Sequence, residues 1–255
     1  MKVLSIYSIK GGVGKTATAV NLAHLTVCSG ARTLLWDLDP QAAASFYFRI
    51  EPRVKGGGGR LLRRRRGLER AIRETDYPGL DLVPGDFSYR YLDLELAGRK
   101  KPLRRIRRLL ERLRDDYDVV LIDCAPSVSL VSEAVLAASD LVLVPTIPTP
   151  LSLRTLTQLQ RLTSDGDAGG PPLLPFFSMV DRRKSLHRTL VERNGGIGAG
   201  FAAAEIPYAS EIERMGVERG PVTARAPSSP SARAFTELWR EAMTAVGFPG
   251  GAPPG

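Results

Sequence analysis

The residues with the clearest chemical potential lie in one short stretch near the N-terminus, Ser8 to Thr16, which reads SIKGGVGKT. Three glycines allow backbone N–H groups to turn toward one anion, because no Cβ obstructs them. The ammonium group of Lys15 and the hydroxyl of Thr16 suit terminal phosphates and Mg²⁺. A second lysine, Lys10, lies in the same tight loop, where the two like charges repel unless a polyanion lies between them. The stretch therefore predicts a phosphate-binding loop.

These groups need a strand in front of the loop and a helix behind it. An apolar run from Val3 to Ile9 leads into the loop, and small and apolar residues from Ala17 to Val27 follow it. The N-terminal end of a helix carries partial positive charge and free N–H groups, and both favour a bound phosphate. A glycine turn that binds nothing is the alternative, but the strand–loop–helix order favours phosphate binding.

Acidic residues end two further apolar runs. Asp37 and Asp39 close the run that begins near Arg32, and residues two apart on an extended chain face the same side. Asp123 closes a continuous apolar run, as expected for a parallel strand covered on both faces. Because ligands bind at the carboxyl ends of strands in open parallel sheets, we expect all three carboxylates near the phosphate loop. Solvated acids at a strand end are the alternative for Asp37 and Asp39.

The hydrophobic pattern predicts an α/β fold, a doubly wound, mostly parallel sheet with helices on both faces, in a single domain of residues 1–247. Further strands are predicted at 80–85, 140–145, 173–180 and 204–207. Helices are predicted at 16–29, 67–75, 103–115, 151–162 and 232–246, with a loop at 165–172. The Gly/Pro-rich residues 248–255 are predicted to be a disordered tail.

The composition favours a polyanionic partner and a reducing compartment. The formal net charge is +9, and many arginines are clustered, which suits nucleic acid or an acidic membrane; charge for solubility alone is the alternative. Cys28 and Cys124 are the only cysteines, so no disulfide framework is implied. No apolar run is long enough to span a bilayer and no signal peptide is evident, so a cytoplasmic location is expected.

Two basic segments leave their role open. Residues 53–66 hold four consecutive glycines and an arginine run, which predicts a flexible basic surface insert, because glycine disfavours a helix. Contact with nucleic acid and a solvated flap are equally compatible with this segment. Residues 99–114 carry arginines on one face of a predicted helix. This face is interpreted either as the solvated side of an outer helix or as a contact with DNA.

The motifs together resemble the ParA/MinD family of deviant Walker A ATPases, closest to the ParA-type partition or cargo-positioning ATPases. The loop reads KGGVGKT, with Ile9 where the plain phosphate-loop pattern has a glycine, and LLWDLDPQ matches the family's second motif. The resemblance implies the P-loop NTPase fold, ATP and Mg²⁺. The implied phosphate contacts are Lys10, Gly11, Gly12, Val13, Gly14, Lys15, Thr16 and Ala17.

The same resemblance assigns roles to single residues. It implies that Thr16, Asp37 and Asp123 hold or order Mg²⁺, with Asp123 as the Walker B acid, and that Asp39 positions the attacking water. It makes Lys10, Lys15 and Asp39 the catalytic residues, with Lys10 reaching the phosphates of the other subunit. Near the adenine it implies Met179, Asp181 and Pro207.

The resemblance also implies partners: an ATP-dependent homodimer with weak hydrolysis, non-specific DNA of the nucleoid, and a small activating protein encoded nearby. Candidate DNA contacts are the late arginines, namely Arg182, Arg183, Arg188, Arg214, Arg219 and Arg233. Two positions depart from the family: Ala17 replaces a frequent threonine, and Glu211 stands where relatives often have a basic DNA contact.

Other members of this fold give the alternatives. A MinD-like membrane-associated regulator would end in an amphipathic basic helix, which the sequence GFPGGAPPG at 247–255 cannot form, so no stable membrane binding is expected. A nitrogenase-reductase-like electron carrier needs cluster cysteines in glycine-flanked positions, which neither cysteine occupies. A small-molecule ATP-dependent biosynthetic enzyme is the remaining alternative, and the ParA-like later motifs weigh against it.

Overall fold

The computed structural model describes residues 1–64, 66–164, 170–194 and 200–249. Within them the apolar runs form one eight-stranded sheet. The strands in chain order are β1 (Lys2–Ile6), β2 (Thr33–Asp37), β3 (Arg73–Glu74), β4 (Leu80–Val83), β5 (Val119–Asp123), β6 (Leu141–Thr146), β7 (Leu173–Val180) and β8 (Glu205–Pro207). Their spatial order is β3-β4-β2-β5-β1-β6-β7-β8, and only β3 is antiparallel to its neighbour. The mostly parallel sheet is confirmed.

Helices cover both faces of this sheet, as predicted. In chain order they are α1 (Lys15–Cys28), α2 (Ala43–Tyr47), α3 (Gly57–Arg63), α4 (Leu92–Ala97), α5 (Arg105–Leu110), α6 (Leu130–Leu136), α7 (Pro150–Ser164), α8 (Ser185–Asn194), α9 (Ser210–Glu218), α10 (Val222–Arg225) and α11 (Pro230–Ala245). Leu4 and Ile6 of β1 pack in one core with α1 and α11. Val3 and Tyr7 point to the opposite core, which holds the leucines of α3 and α5.

The carboxyl ends of the central strands meet at one edge of the sheet. Ile6 of β1 and Asp37 of β2 are each in register with Asp123 of β5, so these three strands end level with one another. From β1 the chain continues to β2, which lies on one side of β1 beyond β5, whereas β6 pairs with β1 on its other side. The direction of strand addition therefore reverses at β1. Such a reversal opens a crevice at the strand ends, which is where ligands bind in open α/β sheets.

The structure corrects the prediction for residues 53–66. A flexible insert was expected from the glycines, but residues 57–63 form α3, with Leu61 and Leu62 fully buried. The Gly58 N–H donates to Ser88 Oγ at 2.8 Å, and a Cβ on Gly58 would lie only 2.6 Å from Leu92 Cδ2. Glycine is therefore required for close packing here, and burial of the two leucines outweighs the low helix propensity.

Other predicted elements also differ. Residues 67–75, predicted to be a helix, are turns followed by β3, and buried Leu68 and Ala71 anchor these turns in the core. The helix predicted at 103–115 is divided: α5 lies between two short 3-10 segments, and Leu109, Leu110 and Leu113 are buried whereas Leu103 is exposed. The predicted tail begins at Phe248, whose N–H donates to Met243 O at 2.9 Å. Residues 250–255 of this tail and residues 165–169 of the predicted loop lie outside the described residues.

None of the helices in the described residues combines the length and apolar character needed to cross a bilayer. The helix behind the loop, α1, is instead tied to the C-terminal part of the chain. Asn21 Oδ1 accepts hydrogen bonds from the Thr223 N–H at 3.0 Å and the Thr223 hydroxyl at 3.2 Å. Trp239 Nε1 donates to Thr26 Oγ1 at 3.0 Å. These buried contacts fix the direction of α1 and hence of its N-terminus.

His24 provides a pH-dependent test of this packing. Its Nδ1 lies 2.9 Å from Thr223 Oγ1, and burial lowers its pKa from 6.5 to about 4. Between pH 6.5 and about pH 4, His24 binds a proton more readily in the unfolded chain than in the folded one. Its contribution to the free energy of unfolding is therefore fully present above pH 6.5 and falls as the pH decreases toward 4. Between pH 7.5 and 5 we expect the wild-type chain to lose about 2 kcal/mol more unfolding free energy than His24→Gln, by urea denaturation. Parallel pH profiles for the two proteins would contradict this.

Candidate active site

The loop between β1 and α1 has a backbone shaped by two glycines. Gly12 has φ 67° and Gly14 has φ 90°, a left-handed region that other residues enter only with strain. A Cβ on Gly14 would also lie 2.9 Å from Ser178 Oγ of β7. No side chain of the described residues caps the N-terminus of α1, so the first N–H groups of the helix remain available to an anion. The backbone thus matches the predicted phosphate cradle.

The two loop lysines occupy different environments. Lys15 is 7% exposed, and its Nζ donates to the Lys10 carbonyl oxygen at 3.2 Å. Burial lowers the pKa of Lys15, and the negative charges of Asp123 and Asp39 oppose that shift. Lys10 instead extends to α7, where its Nζ donates to Ser152 Oγ at 3.2 Å. Lys15 therefore points to the acids of the site, whereas Lys10 lies on the side of α7.

Asp37 and Asp123 lie side by side and are both fully buried. Asp37 Oδ2 accepts hydrogen bonds from the Ser45 N–H at 2.8 Å and the Ser45 hydroxyl at 2.7 Å. Burial raises the pKa of Asp37 to about 6. Burial, and next the charge of Asp37, raise the pKa of Asp123 well above its usual range; the Thr16 hydroxyl and the Lys15 ammonium oppose this.

The unsatisfied oxygens of this pair fit a divalent cation. Asp37 Oδ1 and both carboxylate oxygens of Asp123 are buried without a hydrogen-bond partner in the described residues. The Thr16 hydroxyl lies close enough to Asp123 to lower its pKa, but the two groups do not form a well-aligned hydrogen bond. A buried carboxylate is stable as an anion only when a cation or donors compensate it. No three acidic, His or Cys side chains of the described chain cluster as a metal cage. Mg²⁺ suits this arrangement, because it keeps waters and phosphate oxygens among its ligands.

Asp39 differs in position from the prediction. It was expected to share one face of an extended strand with Asp37, but β2 ends at Asp37 and Asp39 lies in the following turn. Its Oδ1 accepts from the Gln41 N–H at 2.9 Å, and its carbonyl accepts from the Ala42 N–H at 3.0 Å. The half-buried carboxylate still acts electrostatically on Lys15 and Asp123, so it borders the same site.

The three residues proposed near the adenine come together at the ends of β7 and β8. Met179 has a positive φ of 55°, and Pro207 is in register with Val180. Asp181 forms an ion pair with Arg183 at 2.9 Å, and this hydrogen bonding lowers its pKa to about 2. The Asp181 N–H donates to His187 Nδ1 at 3.1 Å, which makes His187 a structural residue.

The late arginines form three groups: Arg182 and Arg183 after β7 with Arg188 on α8, Arg214 on α9 with Arg219 at its C-cap, and Arg233 on α11. Several are paired within the chain. Arg182 pairs with Glu205 at 2.6 Å and Arg214 with Glu218 at 2.9 Å, although their side chains stay 63% and 69% exposed. Arg219 caps α9 with φ 51°, and its Nε donates to Phe46 O at 3.0 Å. The side chain of Arg219 therefore supports the fold directly.

Three serines of the site were not predicted from the sequence. Ser45 binds Asp37, Ser152 binds Lys10, and Ser178 contacts Gly14. Only Ser45 had a usable signal: it is the first hydroxyl residue after Asp37, and a buried carboxylate needs donors. The contacts of Ser152 and Ser178 arise between distant segments, and no local spacing indicates them.

Removing the Ser45 hydroxyl should destabilise the chain. That hydroxyl donates to Asp37 and accepts from the Gly85 N–H at 2.9 Å, so Ser45→Ala leaves a buried donor without its acceptor. We expect a loss of about 1–3 kcal/mol in unfolding free energy, measured by urea denaturation. Ser164→Ala, which removes an exposed hydroxyl on α7, is the matched control and should change stability by less than about 0.5 kcal/mol. Equal effects of both substitutions would refute this role of Ser45.

Comparisons with known proteins agree with this geometry. A family model described as an AAA domain matches residues 1–165. A chromosome partitioning protein ParA of Caulobacter vibrioides is 35% identical over 201 residues, which cover 73% of this chain and 72% of that protein. A putative replication protein A of Rhizobium rhizogenes is 33% identical over 180 residues; this match spans 65% of the chain but only 45% of that relative's length.

Solved structures share the fold. The structure of a cobyrinic acid a,c-diamide synthase from Mycobacterium smegmatis with bound ADP and magnesium is 26% identical, with a TM-score of 0.77 over 100% of this chain and 98% of that one. The ATP complex of a substituted form of Cyanothece McdA has a TM-score of 0.79 at 18% identity over 97% of this chain and 96% of that one, a likeness of fold alone. Together with the sequence matches, these findings show that the chain belongs to the ParA/MinD family of P-loop ATPases.

Proposed function

We propose that this chain binds ATP with Mg²⁺ at the loop between β1 and α1 and hydrolyses it weakly. The buried Asp123 carboxylate, which has no hydrogen-bond partner in the described residues, supports this most directly, because it lies near Lys15 and Thr16. The backbone of residues 10–17 would hold the phosphates, and Thr16, Asp37 and Asp123 would hold the metal or its waters. Mg²⁺ supplies charge neutralisation of the phosphates when bound. The relative from Mycobacterium smegmatis was solved with ADP and magnesium.

In this proposal the protein chain positions the reactants and stabilises charge. Lys15 neutralises the terminal phosphates, while Asp39 orients the attacking water from the turn after β2. Lys10, held toward α7 by Ser152, would turn to the phosphates of a second subunit in an ATP-dependent dimer. The adenine would lie against Met179, Asp181 and Pro207 at the ends of β7 and β8.

We further propose the biological role of a ParA-like partition ATPase. An ATP-dependent dimer would bind DNA without sequence preference, lie on the nucleoid in the cytoplasm, and position a chromosome, plasmid or protein complex together with a small activating protein. The partition protein of Caulobacter vibrioides supports this role. The candidate DNA contacts Arg182, Arg183, Arg188, Arg214 and Arg233 are at least partly accessible, whereas Arg219 is engaged with Phe46.

A small-molecule ATP-dependent enzyme is the second candidate. It is favoured by the 26% identity to the diamide synthase along the full chain. The two candidates differ in one property, since only the partition protein should bind DNA more tightly with ATP than with ADP.

The test is duplex DNA retardation with ATP, with ADP and without nucleotide, over a salt series, combined with sedimentation for the dimer. Random duplexes should bind equally, because phosphate contacts carry no sequence information. Arg188→Gln with Arg214→Gln should reduce both the affinity and its salt dependence, whereas Arg161→Gln with Arg240→Gln is a control of equal charge change. Absence of DNA binding with ATP at low salt would favour the small-molecule enzyme.

A further inference from the structure

Five cations surround one concavity beside α3. A cavity of about 210 Å³ is lined by the loop before α3, by α3 itself and by the turn before β3, and buried Val54, Leu61 and Ala71 form its apolar floor. We call this cavity the α3 trough. Its charged lining residues are Lys55, Arg60, Arg64, Arg70 and Arg73. No acidic residue is among the residues that line it.

The charges of the α3 trough have no carboxylate partners. Within the described residues none of the five cations forms an ion pair, and Arg73 donates only to the carbonyl oxygens of Arg70 and Ile72. Arginines just outside the trough are paired: Arg63 with Glu95 at 2.5 Å, and Arg112 with Glu69 at 3.2 Å. Five like charges around one cavity repel each other, so the arrangement favours a bound polyanion.

The basic surface extends beyond a single cavity, which favours a polymer over a compact anion. A wider cavity of about 510 Å³ shares Lys55 and Arg73 with the trough and adds Arg53, and Glu51 and Glu74 also line it, so its lining keeps an excess of one positive charge. A third cavity is lined by four arginines on or next to α3 and α5, together with Leu109 and Glu111. A small anion would fill one of these spaces, whereas a phosphate backbone would cross them in succession.

The wider cavity lies next to Arg219, the residue that caps α9. Arg49 forms an ion pair with Asp76 and donates to the carbonyl oxygen of Arg219, and the next residue, Ile50, lines the wider cavity. No amide, hydroxyl, acidic or aromatic side chain lines the trough, so arginine and lysine are its only groups that could pair with a base edge, and both also bind phosphate. Contacts to phosphate alone carry no sequence preference.

We propose that the α3 trough binds the phosphate backbone of DNA, as a second, sequence-independent contact in addition to the late arginines. The inference rests on the proposed DNA binding, and the trough adds to the late arginines. It predicts more neutralised phosphates for each bound protein than those arginines alone supply, and therefore a steeper dependence of affinity on salt.

The experiment compares DNA affinity across a salt series, with ATP and a fluorescent random-sequence duplex. The trough variant carries Arg60→Gln, Arg64→Gln and Arg70→Gln; the control of equal charge change carries Arg154→Gln, Arg161→Gln and Arg240→Gln. Loss of three phosphate contacts should reduce the slope of log affinity against log salt by about 2.7 and weaken binding about five-hundredfold near 0.1 M salt. A third variant with lysine at the three trough positions should keep most of the affinity, and thermal melting verifies that all variants fold.

Each outcome decides one question. If the trough variant and the control have the same affinity and slope while Arg188→Gln with Arg214→Gln weakens binding, the trough proposal is wrong and the proposed function stands. If the wild-type protein binds no DNA in any nucleotide state, the trough proposal and the proposed partition role are both wrong, whereas the proposed ATP binding is unaffected. If inorganic tripolyphosphate binds the wild-type protein but not the trough variant, while both bind DNA equally, the trough is a site for small anions and the DNA proposal is overturned.

Discussion

Replacing Lys15 with alanine is expected to abolish ATP binding, with a loss in affinity of about a hundredfold or more. Lys15 is 7% exposed and its ammonium lies in the field of Asp123 and Asp39, so it acts on phosphates in a largely buried site. A charge-assisted contact of this kind is worth about 3 kcal/mol, which corresponds to roughly two orders of magnitude in affinity. Calorimetric titration with ATP and Mg²⁺ measures the effect.

Lys10→Ala is the matched control, because Lys10 lies in the same loop but its Nζ is directed to Ser152. We expect it to bind ATP as a monomer with nearly wild-type affinity and to fail in forming the ATP-dependent dimer, as measured by sedimentation. An ATP affinity of Lys15→Ala within threefold of wild type would contradict the assignment of Lys15. A dimer of Lys10→Ala that forms normally with ATP would contradict the role across the subunits.

Local patterns predicted the parts of the site that depend on short-range geometry. The start of α1 and the meeting of Asp37 with Asp123 follow from strand periodicity and from where parallel strands end. The position of Asp39 was predicted less well, because the strand ends two residues earlier than the acidic pattern indicates.

Tertiary packing decided the parts that the sequence could not indicate. Residues 57–63 are helical because Gly58 packs against Tyr89 and Leu92, contacts that span about thirty residues of chain. The pairing of Arg182 with Glu205 likewise joins two separate strands, so the charge available at the predicted DNA surface could not be read from composition. The Arg214–Glu218 pair has helical spacing and was accessible to sequence reasoning.

Replacing Asp39 with alanine is expected to slow ATP hydrolysis by about a hundredfold or more while ATP binding is retained. Asp39 lies outside the phosphate cradle, in a turn held by the Gln41 and Ala42 N–H groups, and its carboxylate is half-buried beside the charged site. Loss of a group that orients the attacking water removes stabilisation mainly in the transition state, so turnover falls and affinity does not. Phosphate release under single-turnover conditions, with ATP affinity measured in parallel, gives both quantities.

Asp39→Asn separates chemistry from turn structure, because the asparagine amide oxygen can still accept the Gln41 N–H hydrogen bond. If the carboxylate itself orients water, both variants should hydrolyse ATP slowly, keep wild-type affinity and accumulate the ATP-bound dimer in sedimentation. If only the turn matters, Asp39→Asn should retain hydrolysis and Asp39→Ala should also lose thermal stability. Wild-type hydrolysis by Asp39→Ala would refute the catalytic assignment, and the turn after β2 would then serve only to hold the backbone near Gly85.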